Sequence, residues 1–593
     1  MTNVDVLVIG GGLGGVAAAL AAAEAGATVM LVEESPWLGG QLTSQGVCTP
    51  DEDPIKENGI DFPVVETSGS TRSYQELKHL CRLFYRTQTQ LSAEGQNMNP
   101  LNVGRCWVNL GFAVEANVAL QALKDMLEAR NVAPLMNTRV VDVARDGRQV
   151  SSVLLSDAAG NQETVIPKYV LDATETGDLI FKLGMDWFIG AEDITQTGET
   201  AIEGWPAGEH PDWIQPITIP FALEHRPFGE DHTIAKPDNY DEVAANHNFS
   251  LEDGDIVAMF TKGGDPNGLP FWTYRRVIDC RLFNDPRYRF DVATINVKAN
   301  DFRHASYPTG DAAADADALK RARELTVCYI YWLQTQAPRD DGRAGPGWPE
   351  LRPATEFFFD TQSCVAPKPY IRESRRIKPK YQIKQQDLDA ELQPGPRAKF
   401  YADSCGVGNY KMDVHAGANG GLEMVKLSKP YQIPAGALVP NDMDNVLAAG
   451  KCLGVTHITN GAYRLHPQEW NIGQSAGLLA AYAISRNLKP SEVLDSGDET
   501  LGYQKALLDQ GVPIFWWKDV PVDHPQFKAI QMMGIRQIFG GFPNTVDFRP
   551  NDNLPTASQE SLQAALGVDL GWPVAAITRA AAAQHVAEKL GLV

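Results

Sequence analysis

Residues 4–34 read VDVLVIGGGLGGVAAALAAAEAGATVMLVEE. Val4–Ile9 is a short apolar run, the pattern of a strand buried on both faces of a parallel sheet. Gly10, Gly12 and Gly15 follow in G-x-G-x-x-G spacing, with Leu13 and Gly14 inside the turn. That spacing suits a dinucleotide. Gly10 permits a tight turn, Gly12 lets a pyrophosphate approach the backbone, and Gly15 allows close helix–strand packing. The small-residue run Val16–Ala27 predicts a buried helix whose N-terminus faces phosphate. Ala27–Glu33 predicts the second strand. Glu33, followed by Glu34, stands where an acid accepts hydrogen bonds from a ribose diol, which disfavours a 2′-phosphate and hence NADP.

The next stretch, EESPWLGGQLTSQG (33–46), places Gly39 and Gly40 just after that acid. A glycine pair there lets the chain pass close to a diphosphate and a flavin, with Gln41, Thr43 and Ser44 beside it; this favours FAD over NAD. A glycine-rich surface turn is the plainer reading of the same residues. Farther along, DATETGD (172–178) ends a strand in small residues and brings Ala173, Thr174 and Gly177 near a nucleotide. NVLAAGKCLG (445–454) reads as a returning strand ending at Gly450. In THITNGAYRLHPQEWNIGQSAG (456–477), Gly473, Ala476 and Gly477 read as the opening of a helix, Gly473–Asn487. The dipole of such an opening can stabilise negative charge.

Between these pieces, helices are expected near Ser73–Tyr85 and Ala113–Arg130. A meander is expected over Thr138–Ala144, Gln149–Ser156 and Glu163–Leu171, with RDGR and AAGN as turns. Residues 190–435 alternate short strands with Pro/Gly-rich loops such as KGGDPNGLP and DGRAGPGWP, plus one helix near Asp315–Gln336. Helices near His524–Met533, Ser558–Leu566 and Ala575–Lys589 form a C-terminal extension.

The 593-residue chain is 44% hydrophobic and long enough for two or three domains. Its formal charge of −22 disfavours nucleic acid as a partner. The cysteines Cys48, Cys81, Cys106, Cys280, Cys328, Cys364, Cys405 and Cys452 form no CxxC pair, which argues against a redox dithiol and a zinc or iron–sulfur site; no metal is expected. Thiols so dispersed fit a cytoplasmic, reducing location. The opening residues lead straight into a strand, so neither an export signal nor a membrane span is expected.

Taken together, VLVIGGGLGGVAAALAAAEAGATVMLVEE, LGGQLTSQGV, VLDATETGDL, PYIRESRRI, DSCGVGNYKMDVH and the 445–477 segment resemble FAD-dependent oxidoreductases related to heterodisulfide reductase and to glutathione-reductase-type flavoproteins, some labelled "xanthan lyase". The resemblance runs from the N-terminus to about residue 490. It implies an α/β fold: a glutathione-reductase-type, Rossmann-like FAD domain (1–189 and 436–490), an inserted mixed α/β substrate domain (190–435) and a mainly helical extension (491–593). It also implies FAD contact for Gly10, Gly12, Gly15, Glu33, Gly39, Gly40, Thr43, Ala173, Thr174, Gly450, Gly473 and Gln474. Two departures stand out. The family's "ATG" signal reads Ala173-Thr174-Glu175, with glycine delayed to Gly177. The paired cysteines of the disulfide reductases and the iron–sulfur motifs of heterodisulfide reductase are missing.

A flavin dehydrogenase needs a donor carbon near flavin N5 and often a base. His466, His415 and His457 are the candidate bases, His466 foremost because Pro467 fixes its backbone just before the expected helix. Each also reads as a histidine that ties loops together. Tyr463 and Arg464 are candidates to orient a polar substrate. Arg372, Arg375 and Arg376 suit an anion, though an internal network with Glu373 and nearby acids is the plainer reading; Arg275–Arg276 is equally ambiguous. Phe515–Trp517 and Trp470 read as packing. Covalent flavin attachment through His or Cys stays open.

The expectation is therefore FAD-dependent oxidation of a small organic substrate, by a dehydrogenase or oxidase, with an external acceptor (oxygen, a quinone or a redox protein) and no built-in nicotinamide domain. The alternatives are a flavin reductase or monooxygenase using external NAD(P)H, a saturase-like reductase acting on C=C bonds, and a non-enzymatic dinucleotide-binding protein. A homodimer is compatible with the sequence.

Overall fold

The computed structural model describes the chain apart from residues 53–55, 58–59, 62–69, 107–110, 201–203, 255, 265–267, 359–361, 422, 539–544 and 574–575. Residues 265–267 of the loop KGGDPNGLP, and Ala575 at the expected start of the last helix, thus lie outside the described residues.

Strand Thr2–Ile9 pairs in parallel with Val29–Val32 on one side and with Gln162–Asp172 on the other. Gln162–Asp172 is long enough to serve two neighbours along its other edge. Its first half pairs antiparallel with Gln149–Asp157, which pairs in turn with Thr138–Asp146. Its last residues pair in parallel with Val446–Ala448. The result is a six-stranded mixed sheet with a parallel part and a meander part. In register, Ile9 and Ala448 both face Asp172. Three segments far apart in sequence therefore leave the sheet at one edge: the glycine turn after Ile9, DATETGD after Leu171, and AGK after Ala448. That edge is where open parallel sheets bind ligands.

The helix after the turn, Leu13–Glu24, is buried from Leu13 through Ala22. It packs against the helix His466–Arg486, and this second helix departs from expectation. It begins at His466, with Pro467 in its first turn, instead of at Gly473. Gly473, Ala476 and Gly477 therefore lie inside the helix and do not open it. Proline at a helix start costs nothing, because its missing N–H would have had no partner there. The glycines serve packing: a β-carbon on Gly473 would lie 1.9 Å from the Gly14 carbonyl oxygen, and one on Gly477 would lie 2.1 Å from that of Ala18.

The middle of the chain holds an antiparallel four-stranded sheet, in the order Arg276–Ile278, Asp291–Ile295, Phe221–His225 and Leu351–Pro353. A 24-residue helix, Ala312–Thr335, is capped by the Asp311 carboxylate. Other helices stand at Arg72–Gln88 and Ala116–Glu128, and after the long helix at Pro490–Asp495, Gly497–Asp509, Phe527–Ile535, Thr556–Leu566 and Arg579–Lys589. The pair at 490–509 was not anticipated; its polar pattern carries little helical periodicity. Among the described residues, no helix is long and apolar enough to cross a membrane.

Candidate functional site

The glycine turn is built as its spacing predicts. Gly10 has a φ of +102°, a conformation that side-chain-bearing residues rarely adopt, and its N–H donates to the Val32 carbonyl. The buried Glu33 carboxylate accepts from the Gly11 N–H (2.8 Å), from the Ser35 N–H (2.9 Å) and hydroxyl (2.6 Å), and from Lys368 Nζ (2.9 Å). Lys368, which also reaches Glu34 (3.0 Å), comes from the middle of the chain and closes over this end of the turn. The loop with the glycine pair docks on the turn, its Gly39 N–H donating to the Gly11 carbonyl (2.7 Å). Thr43 turns inward and donates its hydroxyl to the Leu38 carbonyl.

The second and third segments complete the cradle. The Ala173 N–H donates to the Ile9 carbonyl (2.8 Å), and Ala173 itself abuts Gly10. Thr174 is tied to Asp172, donating from its N–H (3.0 Å) and hydroxyl (2.7 Å). Burial lifts the Asp172 carboxyl to about 6, against the pull of those bonds. At Gly450 a β-carbon would meet nothing closer than Ala173 Cα, at 3.8 Å, so the backbone there is open. Gly177 instead faces Arg375, and the Gln474 amide oxygen accepts from the Ser73 hydroxyl (2.8 Å) on the helix Arg72–Gln88. The backbone-lined turn, the acid at the strand end and the open Gly450 together fit a dinucleotide.

Two carboxylates and a lysine border the same space. Glu469, in the first turn of the helix His466–Arg486, accepts from the Gly14 N–H (3.3 Å) and from Gln41 Nε2. Burial lifts its carboxyl to about 7, with Lys451 opposing and Glu175 reinforcing the rise. Lys451, directly after Gly450, is 2% exposed and pairs with Glu175.

From this cradle a buried polar chain leads into the middle of the molecule. Gln41 Nε2 also donates to the Arg464 carbonyl (3.1 Å). The Arg464 guanidinium donates to the Tyr370 hydroxyl (2.6 Å) and approaches Asp413 (3.5 Å). Next to Asp413 stands His415, whose Nδ1 lies 2.7 Å from Asp301 while its Nε2 lies 3.6 Å from Asp413. Asp301 is also held by Arg372 (3.0 Å). Burial raises the Asp301 carboxyl, but Arg372 and His415 outweigh it and hold it well below the usual carboxylate range. Asp301 is therefore ionised and accepts only, so Nδ1 of His415 carries a proton toward it; Nε2 faces Asp413, whose carboxyl burial raises but His415 and Arg464 hold far below the usual range. A second buried arginine, Arg275, pairs with Asp51 (2.9 Å) and donates to the Tyr274 hydroxyl (3.0 Å).

The other candidates make contacts elsewhere. His466 is fully buried; its Nε2 donates to the Val47 carbonyl (3.0 Å), and its Nδ1 has no hydrogen-bond partner. Burial drives its pKa down to about 4, with the nearby Arg275 adding to the effect and Asp51 opposing it. His457 is bound by Glu373 (2.8 Å), which also pairs with Arg376, itself bonded to Glu192 (3.0 Å). Arg375 donates to the Thr176 carbonyl (2.8 Å). The RESRR cluster is thus spent on internal contacts, with only Arg372 touching the His415 group. Tyr463 donates to the Gln432 carbonyl (3.0 Å), within the core. Phe515 and Trp517 sandwich with Arg397 (4.6 and 4.5 Å). All eight cysteines are free thiols, and Cys405 and Cys452 donate to the Ile433 and Asp172 carbonyls. Asp279, Cys280 and Asp291 come close together, but Arg105, Arg276 and Arg281 already pair with Asp279.

Sequence reading missed Lys451, Tyr370, Asp301, Asp413 and Lys368 as site residues. Lys451 alone carried a local signal, following the last residue of the returning strand and Gly450.

The model of a family described as FAD dependent oxidoreductase matches residues 5–506. Comparison with curated proteins finds no match. Among solved structures, the chain is similar to a flavoprotein/dehydrogenase from Cytophaga hutchinsonii (16% identity, 38% of this chain and 46% of that one, TM-score 0.21). It is also similar to an L-proline dehydrogenase from P. horikoshii (18%, 32% and 23%, TM-score 0.16) and to CabE, an aromatic hydroxylase from angucycline biosynthesis (13%, 64% and 55%, TM-score 0.26). The chain spans under half the length of the first two of these structures.

Proposed function

Because the chain belongs to the FAD dependent oxidoreductase family, we propose that it is a dehydrogenase or oxidase that removes a hydride from a small organic substrate, with His415 taking the accompanying proton. Bound FAD supplies the two-electron acceptor for that hydride. The observation that carries this reading is the 2.7 Å contact between His415 and the ionised Asp301, at the end of a buried polar chain that starts at the glycine turn. Asp301 fixes the ring orientation of His415 through Nδ1, and Nε2, which faces Asp413 (3.6 Å), is the side on which the His415–Asp413 pair takes up the substrate proton. Arg464, Tyr370 and Arg275 hold polar parts of the substrate beside it. The glycine turn, the Gly39–Gly40 loop, Ala173 and Gly450 hold the cofactor.

In this reading residues 1–189 and 436–490 form the cofactor domain, with the 190–435 insertion supplying His415, Asp301, Tyr370 and Arg275 to the substrate side and 491–593 as a helical extension. Within the family we place the chain with the flavoproteins related to heterodisulfide reductase, without their dithiol chemistry. Electrons leave to oxygen, a quinone or a redox protein.

The test is the visible spectrum of the purified protein, followed anaerobically against a panel of organic donors and against NAD(P)H. Bleaching by an organic donor, and none by NAD(P)H, is the expected result; admitting air then tests oxygen as acceptor. Rapid bleaching by NAD(P)H overturns the proposal in favour of a reductase or monooxygenase.

A further inference from the structure

Two acidic side chains press on the face of the glycine turn that an anionic cofactor must use, and a lysine pairs with one of them. A β-carbon on Gly12 would lie 2.9 Å from Glu175 Oε1, and one on Gly40 would lie 2.5 Å from the same atom. The Glu175 carboxylate therefore sits between the turn and the docked loop, against both backbones. Glu469 Oε1 lies 3.2 Å from the same Gly12 position. Lys451 is the cation among them: its Nζ pairs with Glu175 Oε2 and donates to the Ile371 carbonyl (2.9 Å), with the Tyr370 ring 5.8 Å away. Apart from that ion pair, neither Glu175 oxygen has a hydrogen-bond partner.

This is a poor resting place for a carboxylate. Buried anions ordinarily collect two or more hydrogen bonds, and one that relies on a single lysine is under-solvated. It is also a place two anions cannot share, since a diphosphate laid along Gly12 and Gly40 would bring like charges into contact. A lysine that is almost fully buried, by contrast, is suited to a diphosphate once its own carboxylate has moved.

We propose that Lys451 is a cofactor-binding residue held ready by Glu175: as FAD enters, the Glu175 carboxylate leaves the face of the glycine turn and Lys451 passes from it to the negative charge of the cofactor. Glu175 thereby sets the affinity for FAD, competing for the lysine until the cofactor displaces it. This concerns how the cofactor is taken up and stands independently of which substrate is oxidised.

The test uses the full-length chain stripped of flavin, titrated with FAD and followed by flavin fluorescence, with circular dichroism and the melting temperature of the stripped protein recorded to establish folding. Lys451→Met is expected to raise the Kd by about tenfold to a hundredfold, the effect of a lost charge-assisted contact. Glu175→Gln is expected to lower the Kd by about tenfold by removing the competing charge. Glu175→Asp keeps the charge but draws it back from Gly12 and Gly40, so its Kd should fall between those of Glu175→Gln and wild type; it also serves if Glu175→Gln does not fold. An unchanged or raised Kd in a folded Glu175 variant, or an unchanged Kd in Lys451→Met, overturns the proposal.

Discussion

Gly473 packs directly on Gly14: a β-carbon on Gly473 would lie 1.9 Å from the Gly14 carbonyl oxygen, and the two helices that frame the cofactor cradle meet there. The obstacle is backbone at the start of a buried helix, so neither side can move cheaply. Gly473→Ala is expected to destabilise by about 1–3 kcal/mol, toward the upper end, as overpacking does, and to lower the flavin content of the purified protein. Gly497 is the control. It starts the helix Gly497–Asp509 with nothing within 4 Å of its added β-carbon, so Gly497→Ala should be neutral or gain up to about 1 kcal/mol. Urea unfolding of both variants decides; equal losses would contradict this account of the helix crossing.

His415 and His457 each contact a buried carboxylate, but His415 stands beside Asp413 and Arg464 on the polar chain that begins at the glycine turn, whereas His457 joins it through Glu373 and Gln215. Replacing His415 with Asn should lower kcat by about 10²–10⁴-fold, the usual contribution of a positioned base, without bleaching the bound flavin. His457→Asn should cost less than about tenfold in kcat and act mainly on stability, since Glu373 and Arg376 lose a partner. Steady-state kinetics on a donor found by the spectral screen, alongside thermal melts, separates the two. A larger kcat loss for His457→Asn would reassign the base.

The cofactor half of the site was legible because its information is local. Val4–Glu33 carries strand, turn, helix, strand and acid within thirty consecutive residues, and each step follows from residue type and spacing. In the proposed substrate half, His415, Arg464, Arg372 and Arg275 were named from the sequence but their partners were not legible, because the contacts join distant segments: Gln41 reaches Arg464 across 423 positions, and His415 reaches Asp301 across 114. A lone Asp or Tyr in a loop carries no pattern that announces such a partner. The misplaced helix start has a different cause. Gly473 and Gly477 look like chain punctuation, but here they are the small face of a helix crossing, and Pro467 is the true start signal.

Glu199 tests a second buried carboxylate, away from the site. It accepts from the Thr456 hydroxyl (2.6 Å) and the Gln385 N–H (2.8 Å), while burial and the neighbouring Glu192 charge lift its pKa to about 7. An unfolded glutamate titrates near 4.5, so the native state holds the proton more tightly across that window. Its contribution to stability is therefore lost as pH rises from about 4.5 to about 7, by up to roughly 3 kcal/mol. Glu199→Gln has no charge to bury, so its stability relative to wild type should improve between pH 5 and pH 8. A constant offset in denaturant midpoints across that range would refute the burial of a titrating charge here.

His466 has the opposite sign. Its folded pKa of about 4 lies below the 6.5 of an exposed imidazole, so the unfolded chain binds the proton more tightly. The stability it contributes is complete above about pH 6.5 and drains away as pH falls toward 4, by up to roughly 3 kcal/mol. At neutral pH the ring is uncharged, with Nε2–H committed to the Val47 carbonyl and Nδ1 bare, so it is a weak base for a substrate proton. His466→Gln can donate to the same carbonyl without taking up a proton. Denaturation at pH 7.5 and pH 4.5 should therefore show wild type losing more stability than the variant, while at pH 7.5 the variant keeps most of its kcat. A large kcat loss at pH 7.5, with the acid sensitivity unchanged, would instead make His466 the base and His415 its support.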